Sequence, residues 1–126
     1  MKKLLVLLFS IMFSVNSYGE WKLAFTWDNG DASYLDYEEI KKNDGYVYWW
    51  ELKNMTFGGS SGEDYKSVMF YIQGDCEMGR TKLLSATAFK ELMGQEYSKT
   101  DNYSTWDYPR PNSGALQMLD FICDYL

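Results

Sequence analysis

Only two cysteines occur in the chain, and their places constrain the fold more than any other feature. Cys76 ends the run Val68-Met-Phe-Tyr-Ile-Gln-Gly-Asp-Cys76. That run reads as the inner strand of an antiparallel sheet, because β-branched and aromatic residues dominate it. Cys123 lies in the last turn of a C-terminal segment with helical periodicity. A Cys76–Cys123 bridge would tie that helix to that strand. Two buried free thiols, or a link between chains, are the other uses of such a pair. The expected fold class is α+β: an antiparallel β-sheet of about five to six strands with a C-terminal helix packed on it and tied by a disulfide.

The N-terminus bears on the redox compartment. Lys2 and Lys3 precede an apolar run from Leu4 to Phe13, broken only by Ser10. Ser17 and Gly19 then stand where a signal peptidase needs small residues. The sequence predicts a signal peptide over residues 1–19, cleavage between Gly19 and Glu20, and one domain over residues 20–126. The apolar run is too short to span a bilayer. An exported chain meets oxidising conditions, which favour the bridge. Closing a loop of that length removes about 4 kcal/mol of unfolded-state entropy in the chain-closure model.

Removing the leader leaves ten basic residues against eighteen acidic, a net charge of −8. Such a surface repels phosphate backbones and anionic lipid, so neither nucleic acid nor stable membrane insertion is expected.

Glu20–Trp27 alternates as a half-buried strand, with Trp21, Leu23 and Phe25 on one face. Asn29-Gly30 predicts a two-residue hairpin turn, and Ala32–Asp36 the returning strand. Tyr37–Lys42 reads as one helical turn capped by Asp36, with Ile40 inward. Asn43-Asp44-Gly45 predicts a tight turn. Gly45–Leu52 is the most aromatic strand, with Tyr48, Trp50 and Leu52 on one face and Val47, Trp49 and Glu51 on the other. Both faces carry a tryptophan, so both are expected to be covered in part. Asn54–Asp64, with Gly58 to Gly62, reads as a loop without the lysine of a phosphate-binding loop. Glu77-Met78-Gly79 predicts a three-residue hairpin. Arg80–Phe89 returns as a strand, and alternation does not decide whether Leu83 or Leu84 faces inward. Glu91–Asn102 is polar and unpatterned and reads as loop. Pro109 and Pro111 keep Trp106–Pro111 extended. Asn112 or Ser113 then caps a helix to about Tyr125, with Leu116, Leu119 and Cys123 on its buried stripe.

The chain has no histidine, which removes the commonest general base and the commonest zinc ligand. Asp28–Asp31 lacks the other ligands of a calcium loop. No cofactor and no metal is expected. Asp36, Glu38 and Glu39 read as a cap and a solvated face rather than paired catalytic carboxylates. A carboxylate hydrolase would need two acids about 5–10 Å apart in a cleft. The expectation is that the protein is not an enzyme.

The positive signal is aromatic: five tryptophans and ten tyrosines follow residue 19. Such rings fill a small core or form a binding surface. Trp21 and Trp50 are assigned to the core. Tyr46, Trp49, Tyr97 and Tyr103 are the candidate binding rings.

The order of Tyr34-Leu-Asp36, Ile40-Lys-Lys42, Trp50-Glu-Leu52, Asp75-Cys76, Arg80, Leu84-Ser-Ala-Thr87, Trp106, Pro111-Asn-Ser113 and Phe121-Ile-Cys123 resembles the surface-adhesin protein E family of Gram-negative bacteria. The resemblance covers nearly all of residues 20–126. It implies an antiparallel sheet with a C-terminal helix tied to it by the cysteine pair. For the adhesin that named the family it also implies binding of host laminin, vitronectin and plasminogen. The chain departs from that adhesin in showing no lipid-attachment cysteine at the end of the leader, and in lacking a C-terminal lysine and any lysine-rich run, which weakens the expectation of plasminogen binding.

The expected function is an exported, non-catalytic module that binds a protein, in the manner of adhesins of host matrix or serum proteins. A periplasmic accessory protein that binds an envelope protein or glycan is the alternative. Localisation is periplasmic, secreted or at the cell surface. The oligomeric state stays open, a homodimer included.

Overall fold

A computed structural model describes residues 20–56 and 65–126. Residues 1–19, where a signal peptide and its cleavage site are expected, and the glycine-rich stretch with Ser60 and Ser61 lie outside the described residues. Eight strands form one antiparallel sheet: β1 (Lys22–Thr26), β2 (Ala32–Leu35), β3 (Lys41–Asn43), β4 (Tyr46–Asn54), β5 (Ser67–Asp75), β6 (Arg80–Phe89), β7 (Tyr97–Asn102) and β8 (Trp106–Asp107). One helix follows, α1 (Gly114–Tyr125). The sheet order is β1-β2-β4-β5-β6-β7, with β3 beside β4 and β8 beside β6.

The centre is β4-β5-β6, as the run ending at Cys76 predicts. Trp49 lies opposite Ile72 and Trp50 opposite Tyr71. Side chains alternate between faces, so Val47, Trp49 and Ile72 share one face, and Tyr48, Trp50 and Tyr71 share the other. Helix α1 packs on the first. Its Met118, Leu119 and Ile122 are buried with Leu35, Ile40, Val47 and Trp49. Ser113 caps the helix, its hydroxyl accepting from the Leu116 N–H at 3.2 Å.

Gly74 sits beneath the helix because nothing larger fits. A Cβ there would come within 2.6 Å of Leu119 and 2.8 Å of the Trp49 ring. The Cys76–Cys123 disulfide closes the far end of the helix, with Cα atoms 5.9 Å apart. Cys76 itself lies in the turn rather than in β5, since Asp75 and Arg80 are the last pair. The loop is therefore the four residues Cys76–Gly79, not three. The Asp75 carboxylate holds it, accepting from the N–H groups of Glu77 (3.2 Å) and Met78 (3.1 Å) and from Arg80 Nε (3.0 Å).

Several expectations shift by local chemistry. Gly30 alone takes positive φ (90°) in the first hairpin, so that loop is Asp28–Gly30 with glycine closing it. A bulge between Leu23 and Phe25 breaks the alternation of β1 and leaves Leu23 exposed. The turn capped by Asp36 is a 3-10 turn of only Tyr37–Glu39. Lys41–Asn43 then pairs as β3, because Asp44 and Gly45 both take positive φ (52° and 84°) and make a two-residue hairpin. Glu91–Asn102 contains strand β7, an exposed edge whose two faces are both polar and so carry no alternation signal. On β6, Leu83 pairs with Ile72 and faces the helix side, while a bulge at Leu84 shifts the register.

Candidate functional site

The helix face and the opposite face of the sheet each present a candidate. The opposite face is half covered. At its lower end the Leu92–Gly94 turn lies over Leu52, held by the Asn54 side chain accepting from Met93 N–H at 2.9 Å. Ser67 Oγ donates to the Glu91 carbonyl at 2.6 Å and accepts from Gly94 N–H at 3.0 Å. The upper end carries half-buried rings. Trp50 stacks on Tyr71 with centroids 4.3 Å apart, and Tyr48 stands 6.2 Å from Tyr71. Tyr46 meets Trp106 at 5.5 Å. Arg80 lies 4.1 Å over the Trp106 ring and Lys82 Nζ 4.6 Å over it. The result is a platform of rings with two cations at one end.

This placement reverses part of the sequence assignment. Trp49 is 1 % exposed and fills the core, so it offers no binding surface. Trp50, assigned to the core, is half-buried on the platform. Trp21 is also only half-buried. Both residues of the Trp49-Trp50 pair suited either face, and the side taken by the helix decides between them. Tyr46 belongs to the platform. Tyr97 is 64 % exposed on the sheet edge, against Phe89 at 6.5 Å. Tyr103 is 48 % exposed just past β7, its N–H donating to the Leu84 carbonyl. Tyr48, Tyr71 and Trp106 are platform rings that sequence reasoning left out. Their signal was the shared parity of Tyr46, Tyr48 and Trp50.

On the helix face, α1 leaves β5 and β6 partly uncovered. A cleft of about 250 Å³ opens there between the N-terminal end of the helix and the sheet. Its apolar wall includes Phe70, Ile72, Leu83 and Met118, and its polar groups include Glu51, Lys53, Thr81 and Asp107. Glu51 is buried, and burial pushes its carboxyl pKa up despite the Ser33 hydroxyl donating to it at 3.2 Å. Ser33 in turn accepts from Trp27 Nε1 at 2.7 Å. The Trp49 indole also favours the Glu51 anion, yet its buried Nε1 reaches no partner with hydrogen-bond geometry. Lys53 is drawn to Asp31 at 3.7 Å. The Asp31 carboxyl is pushed up by burial, but hydrogen bonds from Thr56 and Asn29 outweigh this and hold it below the ordinary range. Asp75 is likewise held low, first by the Met78 N–H and then by Arg80.

Asp36 caps its 3-10 turn through the Glu38 N–H, and Glu38 and Glu39 point to solvent. Among the described residues, no cluster of three or more acidic or cysteine side chains is arranged to hold a metal. No helix among them is long and apolar enough to cross a membrane.

The family model for surface-adhesin protein E matches residues 21–124. The chain belongs to the surface-adhesin protein E family. Solved structures of Haemophilus influenzae protein E share the fold. One, the selenomethionine form, is 17 % identical, with a TM-score of 0.61, covering 81 % of this chain and 85 % of that one. A second crystal form is 19 % identical over 73 % and 80 % of the two chains, with a TM-score of 0.59. Protein E from non-typeable Haemophilus influenzae is 16 % identical over 81 % and 75 %, with a TM-score of 0.56. No curated protein matches the sequence.

Proposed function

We propose that residues 20–126 act as an exported, non-catalytic module that binds a protein partner, adhesin-like in role as in family. The observation that carries this reading is the ring platform. Trp50, Tyr71, Tyr48, Tyr46 and Trp106 lie together on a face that no helix among the described residues covers. Partly exposed tyrosine and tryptophan, flanked by arginine, are the residue types that dominate protein interfaces. The chain enters the export route through the leader at residues 1–19. Host matrix or serum proteins are the partner class that the family suggests.

The test is binding of residues 20–126 to immobilised matrix and serum proteins. We expect a saturable signal that Trp50→Ala and Trp106→Ala each weaken while the fold persists by circular dichroism. No saturable signal on any of them removes host adhesion. Protease treatment of intact cells then separates the two locations. Protection of the protein would place it in the periplasm, where an envelope protein or glycan becomes the partner.

A further inference from the structure

We infer that the ring platform takes an extended acidic segment of the protein partner, held between Lys41 and Lys82. The inference deepens the reading of residues 20–126 as a protein-binding module and rests on it. Its ground is the register of the sheet. Lys41 lies opposite Tyr48, Tyr48 opposite Gln73, Gln73 opposite Lys82, and Lys82 opposite Trp106. Directly paired residues point to the same face, so these five side chains form one row across β3, β4, β5, β6 and β8. Neighbouring strands lie about 4.8 Å apart, which sets Lys41 and Lys82 about 14 Å from each other. The Tyr48 ring and the Gln73 amide stand between them.

Charge marks this row out from the rest of the surface. Residues 20–126 carry ten basic against eighteen acidic residues, a net charge of −8. On this face of β3 to β8 the register places Lys41, Asp75, Arg80 and Lys82 as the charged side chains. Asp75 is taken by Arg80 at 3.0 Å. Lys41 and Lys82 are then unbalanced, since neither forms an ion pair among the described residues. Glu51, Asp101 and Asp107 alternate to the helix face. Glu39, Asp44 and Glu77 lie in turns beyond the strand ends. At physiological salt, charges more than about 8 Å apart are largely screened, so a short segment on the row answers to the two lysines rather than to the net charge.

Spacing and ring chemistry choose the occupant. An extended chain rises about 3.4 Å per residue and returns to the same face at every second residue. Acidic side chains at positions i and i+4 are therefore about 14 Å apart and meet both lysines at once. A long polyanion would run off the row onto the acidic remainder of the surface. An acidic sugar stacks on open ring faces, and these rings are already engaged. Arg80 and Lys82 lie over Trp106 at 4.1 and 4.6 Å, and Trp50 and Tyr71 stack on each other. The same contact steadies the Lys82 head on Trp106, which lowers the entropy lost when a carboxylate pairs with it.

The probe is acetyl-Glu-Ser-Val-Ser-Glu-amide, titrated by NMR at low salt into isotopically labelled residues 20–126. The controls are the same peptide with glutamine for glutamate, and digalacturonate, an acidic sugar of the same charge. Saturable shifts are expected at Tyr48, Gln73, Lys82 and the Trp106 indole with the acidic peptide, and much weaker ones with the glutamine peptide. Lys41→Glu and Lys82→Glu should each weaken the acidic peptide about fivefold, because reversal turns an attraction into a repulsion. The double reversal should instead prefer acetyl-Lys-Ser-Val-Ser-Lys-amide, a gain that loss of fold does not imitate. Equal binding of the glutamine peptide, tighter binding of digalacturonate, shifts centred on another surface, no saturable shifts, or unchanged affinity in both reversals would each overturn the proposal. Matrix-protein binding that survives the double reversal also overturns it and leaves the module reading intact. An acidic peptide that binds while matrix proteins do not leaves the row standing and removes host adhesion.

Discussion

Trp49 and Trp50 are neighbours in the chain and end in opposite environments. Trp49 faces α1 and is 1 % exposed. Trp50 faces away and stacks on Tyr71 at 4.3 Å, partly exposed to water. The two faces of the sheet are made from similar residues, so composition does not separate them. What separates them is the cover. One face has a helix held by a disulfide, and the other, among the described residues, has the Leu92–Gly94 turn over its lower end. A ring becomes core or binding surface according to what the rest of the chain lays over it.

The sharpest way to break that contrast is to remove the cover. Reduction, or Cys76→Ser with Cys123→Ser, should cost up to about 4 kcal/mol, measured by urea denaturation. Near-UV circular dichroism should report the Trp49 environment loosening first. Next in size come single residues on the two faces. Trp49→Ala should cost about 3–5 kcal/mol, as large-to-small changes in a core do, and Trp50→Ala clearly less. Equal losses would mean the platform is structural rather than a surface kept for contact. Gly74→Ala drives a methyl into Leu119 and Trp49 and should cost about 1–3 kcal/mol by the same measurement.

Smaller effects test the carboxylates by pH. Glu51 is raised by burial, so the folded state binds its proton more tightly than the unfolded chain does. Stability is then lost as pH rises from the unfolded carboxylate range, about 4.3, through the folded value. Glu51→Gln should raise the melting temperature by a few degrees at neutral pH, with the gain vanishing in acid. Asp75 runs the other way. Its carboxyl is held low, so its contribution is present above the unfolded range and lost as pH falls through the folded value. Asp75→Asn should lower the neutral melting temperature slightly and leave the acid one unchanged.

The central hairpin, the C-terminal helix and the bridge were legible because strong signals overlap there. Apolar alternation, a capping serine and a lone cysteine pair all point one way. Strands β3, β7 and β8 were not. β3 and β8 are three and two residues long, and β7 is polar on both faces. Edge strands like these form only because a neighbour offers hydrogen bonds, which no local pattern records. The platform was legible in part through Tyr46, and Trp49 was misplaced because only the helix position ranks the two faces. The cleft had one trace in the sequence, a glutamate on the same face as Val47 and Trp49. Asp107 and Leu83 reach it from strands far along the chain, and their convergence is a product of topology.

The disulfide also sets how the domain behaves under load. Strands β6, β7 and β8 and nearly all of α1 lie within the span it closes. Pulled at residues 20 and 126, the oxidised chain could pay out only what lies outside Cys76–Cys123. At about 3.5 Å per residue that is roughly 200 Å, against roughly 370 Å when reduced. Strands β1 to β5 would then yield to traction, while the Asp107 and Leu83 walls of the cleft stay inside an inextensible loop.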